Sequence, residues 1–335
     1  MASSNKFIVI TSIFPPTEAV KKFATTSGWR LIVVGDKKSP NDWQCEDVTY
    51  LSPNDQLKQG FSILENLPWN HYCRKMVGYL YAMKQGAEYI ADIDDDNIPL
   101  PNWPNLPDSN ARLDTLSGVK FVNIYKNYTK EFIWPRGFPL NQILATDKPS
   151  ISSSSHDVAI WQFLANEDPD VDAIYRLTNN KQITFNDKAH LVLDEGSVCP
   201  FNSQNTVFRK DVFPLLYLPS FVTFRFTDIL RGLVAQPLLW RAGSRLGFGP
   251  PTVVQKRNLH DYMEDFESEI PVYIHSEKVV DIAVASLKNS RSKTITSQLL
   301  SIYESLRAEE IVKDYEINLL KTWIEDLNTL FGKTA

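Results

Sequence analysis

The stretch Tyr89-Ile90-Ala91-Asp92-Ile93-Asp94-Asp95-Asp96-Asn97-Ile98-Pro99 constrains this chain more than any other. A short apolar run, preceded by helical periodicity, ends in a burst of carboxylates that Pro99 closes. The alternation from Tyr89 to Ile93 predicts a strand with the acids at its C-terminal end. Side chains two apart on a strand point the same way, so Asp94 and Asp96 are expected to face one spot. Like charges gathered there, with no Lys or Arg beside them in sequence, are unfavourable unless something positive binds. A hard divalent cation with oxygen ligands, Mn²⁺ or Mg²⁺, is the simplest partner. A solvated acidic turn would use the same residues, but the strand in front tips the reading toward a metal site. At a strand tip of an α/β sheet, such a metal would sit where a nucleotide diphosphate binds.

The residues around this stretch alternate strands and helices. Phe7 to Ile13 reads as a strand buried on both faces, Thr17 to Thr26 as a helix, Arg30 to Val34 and Val48 to Leu51 as further strands. Helical periodicity returns from Tyr72, with Met76, Tyr79, Leu80 and Met83 on one stripe and Gly86 as its cap. This order predicts a doubly wound, Rossmann-like sheet. Neither GxGxxG nor a Walker loop is present, which argues against a conventional dinucleotide or P-loop site. Beyond Pro99 the pattern changes. Pro99 to Pro107 reads as extended, Val119 to Tyr125 as a strand, and Ser150 to Ser155 and Gly243 to Gly249 as loops. From about Ser276 onward, Leu, Ile and Val recur at helical spacing among charges, which predicts two or three amphipathic helices.

Composition excludes several classes. The 335 residues, 43% apolar and 22% charged, suit a globular protein with a substantial core. A net charge of −5 argues against a protein that grips nucleic acid through its phosphates. Cys45, Cys73 and Cys199 are scattered without CxxC spacing, which disfavours a disulfide framework or a structural zinc. No apolar run reaches the roughly 20 residues of a transmembrane helix, and the opening residues lack a signal-peptide layout. A cytoplasmic location is the expectation.

Three further segments carry candidate chemistry. In His71-Tyr72-Cys73-Arg74-Lys75, two cations near a helix N-terminus suit an anion, although a basic solvated face would use the same residues. In Phe132-Ile133-Trp134-Pro135-Arg136-Gly137-Phe138-Pro139-Leu140, Arg136 sits on a stiff aromatic loop. It can either grip phosphate or carboxylate or cover apolar surface with its stem. In Phe224-Arg225-Phe226-Thr227-Asp228-Ile229-Leu230-Arg231-Gly232, Thr227 or Asp228 can cap a helix, and Asp228 can act as a general base. His260 is a further candidate for a metal shell.

Taken together, these segments resemble the STELLO-type glycosyltransferase-like domain. The resemblance rests on Arg74-Lys75-x-x-Gly78-Tyr79-Leu80, Asp94-Asp95-Asp96, Trp134-Pro135-Arg136-Gly137-Phe138-Pro139-Leu140, Asp168-Pro169-Asp170-Val171-Asp172 and Asp228-Ile229-Leu230-Arg231-Gly232, in that order, from about Phe7 to Thr252. It implies a GT-A-type, Rossmann-like mixed sheet flanked by helices, with a nucleotide-sugar and a divalent metal at the Asp94-Asp95-Asp96 cluster. The motifs also resemble those of the reversibly glycosylated polypeptides, which are UDP-arabinopyranose mutases. In that group the arginine corresponding to Arg136 carries sugar. STELLO proteins are anchored in the Golgi membrane, a feature with no counterpart in this sequence.

These readings combine into one expectation. Residues 1–275 would form the GT-A-like domain, with a nucleotide-binding half over about 1–100 and an acceptor half over about 101–275. Residues 276–335 would be a C-terminal helical extension. The domain would be a metal-dependent glycosyltransferase moving a sugar from a UDP-sugar to a glycan or glycoconjugate hydroxyl. Thr11 and Asp36 would contact base and ribose, Arg74 or Lys75 would neutralise the diphosphate, Asp94 and Asp95 would be among the residues binding the nucleotide-sugar, and Asp94, Asp96 and His260 would hold the metal. Asp228 would be the base of an inverting reaction. The alternatives are a UDP-sugar mutase with Arg136 at the sugar, and a non-catalytic scaffold of the same fold.

Overall fold

Strand β1 (Lys6–Thr11) shows why the N-terminal third folds as it does. Phe7, Ile8, Val9 and Ile10 are all fully buried, but in two different cores. Phe7 and Val9 join one cluster with Ile32, Val34 and the helix Lys75–Lys84, while Ile8 and Ile10 join another with Leu31, Val33 and Phe23. A strand covered on both faces needs a continuous apolar run, and this one has it. The computed structural model describes residues 5–257 and 261–332. His260 therefore lies outside the described residues.

The other strands are β2 (Arg30–Val34), β3 (Val48–Leu51), β4 (Tyr89–Ile93), β5 (Asn97–Pro99), β6 (Leu113–Ser117), β7 (Ser150–Ser154), β8 (Val158–Asn166), β9 (Leu191–Leu193), β10 (Asn205–Arg209) and β11 (Arg245–Gln255). They form one 11-stranded sheet in the order β3-β2-β1-β4-β10-β8-β11-β9-β6-β7, with β5 paired to β11. β3, β2, β1 and β4 are mutually parallel, whereas β10 lies antiparallel between β4 and β8. The expected mixed α/β sheet flanked by helices is therefore present. Its strand order reverses between β1 and β4, and the crevice beyond their C-terminal ends is where open α/β sheets bind ligands.

The helix Lys75–Lys84 lies unusually close to this half of the sheet. A Cβ on Gly78 would fall 2.6 Å from Val9 Cγ1 and 2.7 Å from Val34 Cγ2, so the approach needs glycine. That contact fixes the height of Lys75 above the strand tips.

Three local expectations are corrected. Val119 to Tyr125 is not a strand: Phe121 makes one isolated bridge to Val198 and the chain then turns into the short helix Tyr125–Tyr128. Phe121, Val122, Ile124, Tyr125 and Tyr128 are all buried, so core packing sets their conformation. The serine run is β7, not a loop, and its polarity reflects an outermost strand whose side chains are mostly exposed. The Gly243 to Gly249 region contributes β11, which pairs in parallel with β8. Register shifts around Pro251 absorb the prolines, and a Cβ on Gly247 would run into the Trp161 ring at 2.3 Å.

Three long helices close the chain: Tyr262–Asn289, Ile295–Ala308 and Asp314–Phe331. The expected boundary at residue 276 falls inside the first. The last is built into the main core through Leu319, Leu320 and Trp323. Its Asp326 carboxylate accepts hydrogen bonds from the backbone N–H groups of Ser62 and Ile63, at 2.6 and 2.9 Å. Among the described residues, no helix is long and apolar enough to cross a membrane.

Candidate active site

β4 ends at Ile93, and Asp94, Asp95 and Asp96 run through the turn that follows. Strand alternation therefore does not relate Asp94 to Asp96. The turn holds its acids in different ways. Lys75 Nζ donates to Asp94 Oδ1 at 3.1 Å, Ser12 Oγ donates to Asp95 Oδ2 at 2.5 Å, and Gln255 Nε2 approaches both oxygens of Asp96 at 3.2–3.3 Å. Thr17 Oγ1 donates to the Asp95 carbonyl at 2.6 Å, tying the turn to the helix Glu18–Ala24.

The acids are not without cations. Lys75 and Arg231, distant in sequence, converge on Asp92, a carboxylate fully buried inside β4. Lys75 Nζ lies 2.8 Å from Asp92 Oδ1, a charge contact rather than an aligned hydrogen bond, because that oxygen lacks a partner of hydrogen-bond geometry. Arg231 donates to Asp92 Oδ2 at 2.8 Å and to Ser203 Oγ at 3.0 Å. Burial alone would raise Asp92, but Lys75 and then Arg231 outweigh it and hold the carboxyl below its ordinary range. The turn itself is undercompensated. Burial first, with Asp96 and Asp92 adding repulsion against the pull of Lys75, raises Asp94. Asp95 and Asp96 are likewise raised by burial, against hydrogen bonds from Ser12 and Gln255. The Asp94 side chain is still 41% exposed, so water in the crevice tempers its shift.

The turn faces a cavity of about 410 Å³ at the switch point of the sheet. The cavity is lined by Thr11, Asp36, Arg74, Asp94, Asp95, Asp96, Arg136 and Asp228, so most of the residues singled out in the sequence meet there. Lys75 does not line it; it is fully buried behind the acids. Asp36 accepts hydrogen bonds from the backbone N–H groups of Lys37 and His71 and so pins the loop before the helix Lys75–Lys84. Arg74 reaches the lining, but its guanidinium donates to Gln56 Oε1 and the Leu67 carbonyl and stacks 3.7 Å from the Trp69 ring. The expected pair of free cations at the helix N-terminus is thus committed to internal partners. His71, Tyr72 and Phe224 form an aromatic wall, with His71 and Tyr72 stacked at 5.2 Å.

Adjoining this wall, where the Asp228 N–H donates to Tyr72 Oη at 3.1 Å, is an ion-pair clamp. Arg136 donates to both oxygens of Asp170 (2.8–3.1 Å), to both oxygens of Asp228 (3.0 Å each) and to the Arg225 carbonyl. Every guanidinium nitrogen is engaged, and Asp170 and Asp228 together overcome burial to raise the Arg136 pKa further. Asp170 is held low by Arg136 first and Arg225 next, despite its burial. Asp228 also accepts the N–H groups of Ser203 and Ile229. It thus receives four hydrogen bonds, as many as a carboxylate has lone-pair sites. Nearby, Trp134 Nε1 donates to Asp172 at 2.6 Å. The Trp134–Leu140 loop, the Asp168–Asp172 segment and the helix Thr227–Arg241 therefore join at one point.

Sequence reasoning gave no role to Asp92, Asp170, Arg225, Arg231 or Arg257, although all but Arg257 lie in segments it singled out. The signal for Asp92 was available: a charge in mid-strand, two residues before the acidic run, needs buried partners.

A mixed, GT-A-like α/β sheet with an acidic turn at its crevice is the class of protein that the fold and site define. Comparison with known proteins narrows it. The family model described as STELLO glycosyltransferases matches residues 225–333, from the clamp through the C-terminal helices that the motifs left unmatched. The chain is 27% identical to each of two Arabidopsis thaliana proteins, "Probable glycosyltransferase STELLO2" and "Probable glycosyltransferase STELLO1", over 97% of its length. It spans less than half of these relatives, 45% and 44%. The STELLO-type resemblance read from the motifs is borne out.

Proposed function

We propose that this chain is a glycosyltransferase domain that binds a nucleotide-sugar, of the UDP class, in the crevice between β1 and β4. The observation that carries the reading is the Asp94–Asp96 turn: three carboxylates with pKa values pushed up by burial, lining together a cavity of about 410 Å³ at the sheet's switch point. The names of the STELLO relatives support the same class.

Among the described residues, no group of three or more His, Cys, Asp or Glu side chains is placed to hold a metal ion by itself. The residues nevertheless fit a hard cation of the Mg²⁺ type, which binds through one or two carboxylates and takes its remaining ligands from substrate phosphates and water. Asp94 and Asp96 would hold it. When bound, such an ion supplies positive charge against the departing diphosphate. Lys75 fixes Asp94 from behind, and Ser12 and Gln255 fix Asp95 and Asp96. Thr11 and Asp36 would contact the base and ribose, and the His71–Tyr72–Phe224 wall would offer apolar faces to a ring.

On the acceptor side we assign Arg136, Asp170 and Asp228 to one clamp. An acceptor hydroxyl can give its proton to Asp228 only if the carboxylate releases one of its four hydrogen bonds, so the inverting base role depends on the clamp loosening. Covalent attachment of sugar to Arg136, as a mutase would need, requires a free guanidinium lone pair; here each nitrogen is donating. Transfer to an acceptor is therefore the better supported reading. The test is calorimetry of UDP-, GDP- and CMP-sugars with and without Mn²⁺. Binding selective for UDP-sugars and dependent on metal is expected, and absence of binding by every nucleotide class would overturn the reading.

A further inference from the structure

With Arg74 and Lys75 tied to internal partners, the cation that meets an anionic ligand has to come from elsewhere in the cavity. Arg257, just beyond the end of β11, lines it. Its side chain is only 8% exposed, yet among the described residues its Nε has no hydrogen-bond partner. An ion-pair neighbour, Asp265, stands 3.5 Å from its terminal nitrogen, long for a hydrogen bond. A buried guanidinium N–H without an acceptor is costly, and native structures seldom keep one without a use.

The surroundings add to the mismatch. Arg225 lines the same cavity and spends its guanidinium on Glu269 at 2.9 Å. Burial first, and then repulsion from Arg225 and Arg176, pushes the pKa of Arg257 down against the weaker pull of Asp168 and Asp170. Across the turn, Gln255 holds Asp96, two residues away along the same chain segment. Arg257 therefore stands beside the acidic turn, and an anion bridging the two sides would satisfy the orphan N–H and screen the guanidiniums from one another.

We infer that Arg257 forms an oxyanion subsite of this cavity, taking either the diphosphate of the donor or the carboxylate of an acidic sugar. The inference rests on the donor-site reading and adds the residue that recognises the ligand's negative charge. Both sources offer the same chemistry, oxygens that accept charge-assisted hydrogen bonds from a planar fork.

The experiment is calorimetry in the presence of Mn²⁺, the condition under which the donor reading expects UDP-sugars to bind, so that each outcome is read with metal available to the turn. Pyrophosphate, glucuronate, UDP-glucose and UDP-glucuronate would be titrated into the wild-type protein, Arg257→Gln and Arg257→Lys, with melting temperatures recorded to check folding. If the diphosphate is the ligand, Arg257→Gln weakens pyrophosphate and both UDP-sugars at least about tenfold. If a sugar carboxylate is the ligand, the loss is confined to glucuronate and UDP-glucuronate. Arg257→Lys keeps the charge without the fork and falls between wild type and Arg257→Gln. Pyrophosphate binding that depends on Arg257, with no nucleotide bound, would uphold the subsite while overturning the donor reading. A folded Arg257→Gln variant within about twofold of wild type for all four probes, or a wild-type protein that binds none of them, would overturn the subsite.

Discussion

Lys75 and Asp92 meet at 2.8 Å with both side chains fully excluded from solvent, and the same ammonium reaches on to Asp94 at the cavity. One lysine thus joins the buried core of the sheet to the acidic turn. Removing one partner of a buried pair leaves the other charge uncompensated, at a cost of about 3–5 kcal/mol. Lys75→Met is therefore expected to lower stability in denaturant unfolding by up to that order, Arg231 remaining as the other cation on Asp92. Lys75→Met combined with Asp92→Leu should not recover the loss, since it strands the buried Arg231 guanidinium that Asp92 also pairs with. A Lys75→Met variant as stable as wild type would mean that Asp92 takes up its proton or rearranges freely.

The turn acids should behave in the opposite way. Asp94 and Asp96 repel one another and are raised by burial, so Asp94→Asn and Asp96→Asn are expected to leave the melting temperature of the unliganded protein unchanged or higher. Each should abolish the extra thermal stabilisation that Mn²⁺ gives in the presence of UDP. Metal-dependent UDP stabilisation that persists in both variants would remove the turn from the donor site.

Much of this site was legible because its parts lie in short, chemically distinctive segments: the acids after an apolar strand, the Trp-Pro-Arg loop and the Asp228 helix start. The connections between them were not. Arg136 and Asp228 are 92 residues apart, and their pairing depends on how β8, β10 and the helix Thr227–Arg241 bring their segments together. Arg74 and Lys75 read as an anion site because helix periodicity shows which residues share a face, but not that this N-terminus is sunk under the strand tips. β11 hid behind Gly and Pro, whose strand-breaking tendency is offset here by aromatic cover and register shifts. Arg257 carried no signal, as it lies in no motif and gains its position from the end of that unread strand.

The Arg136 clamp distinguishes two roles for Asp228. If Asp228 only closes the clamp, Asp228→Asn and Asp170→Asn should reduce sugar transfer by similar factors, because each removes one of the two carboxylates that hold Arg136. If it takes the acceptor's proton, Asp228→Asn should fall by about 10²–10⁴ while Asp170→Asn falls far less. Donor affinity, measured by calorimetry, should hold in both. Arg136→Lys is expected to destabilise the fold, since an ammonium cannot span two carboxylates with parallel hydrogen bonds. A fully active and stable lysine variant would reduce Arg136 to a packing residue.

Glu316 gives a prediction about pH that does not involve the cavity. Its carboxylate accepts the N–H groups of Ser220 and Phe221 at 2.8–3.2 Å and the hydroxyl of Tyr217, anchoring the last helix to the body of the protein. Burial nonetheless outweighs these bonds and lifts its pKa from 4.5 to about 7. The folded protein therefore binds this proton more tightly than the unfolded chain. Its contribution is complete below about pH 4.5, declines as pH rises, and is lost above about pH 7. The full change is on the order of 3 kcal/mol. Denaturant unfolding of wild type and Glu316→Gln between pH 5 and pH 8 isolates it, because the other titrating groups are common to both. The difference in stability should shift in favour of Glu316→Gln as pH rises through this window. Parallel pH profiles would show that Glu316 is ionised in the folded protein throughout, with its hydrogen bonds outweighing its burial.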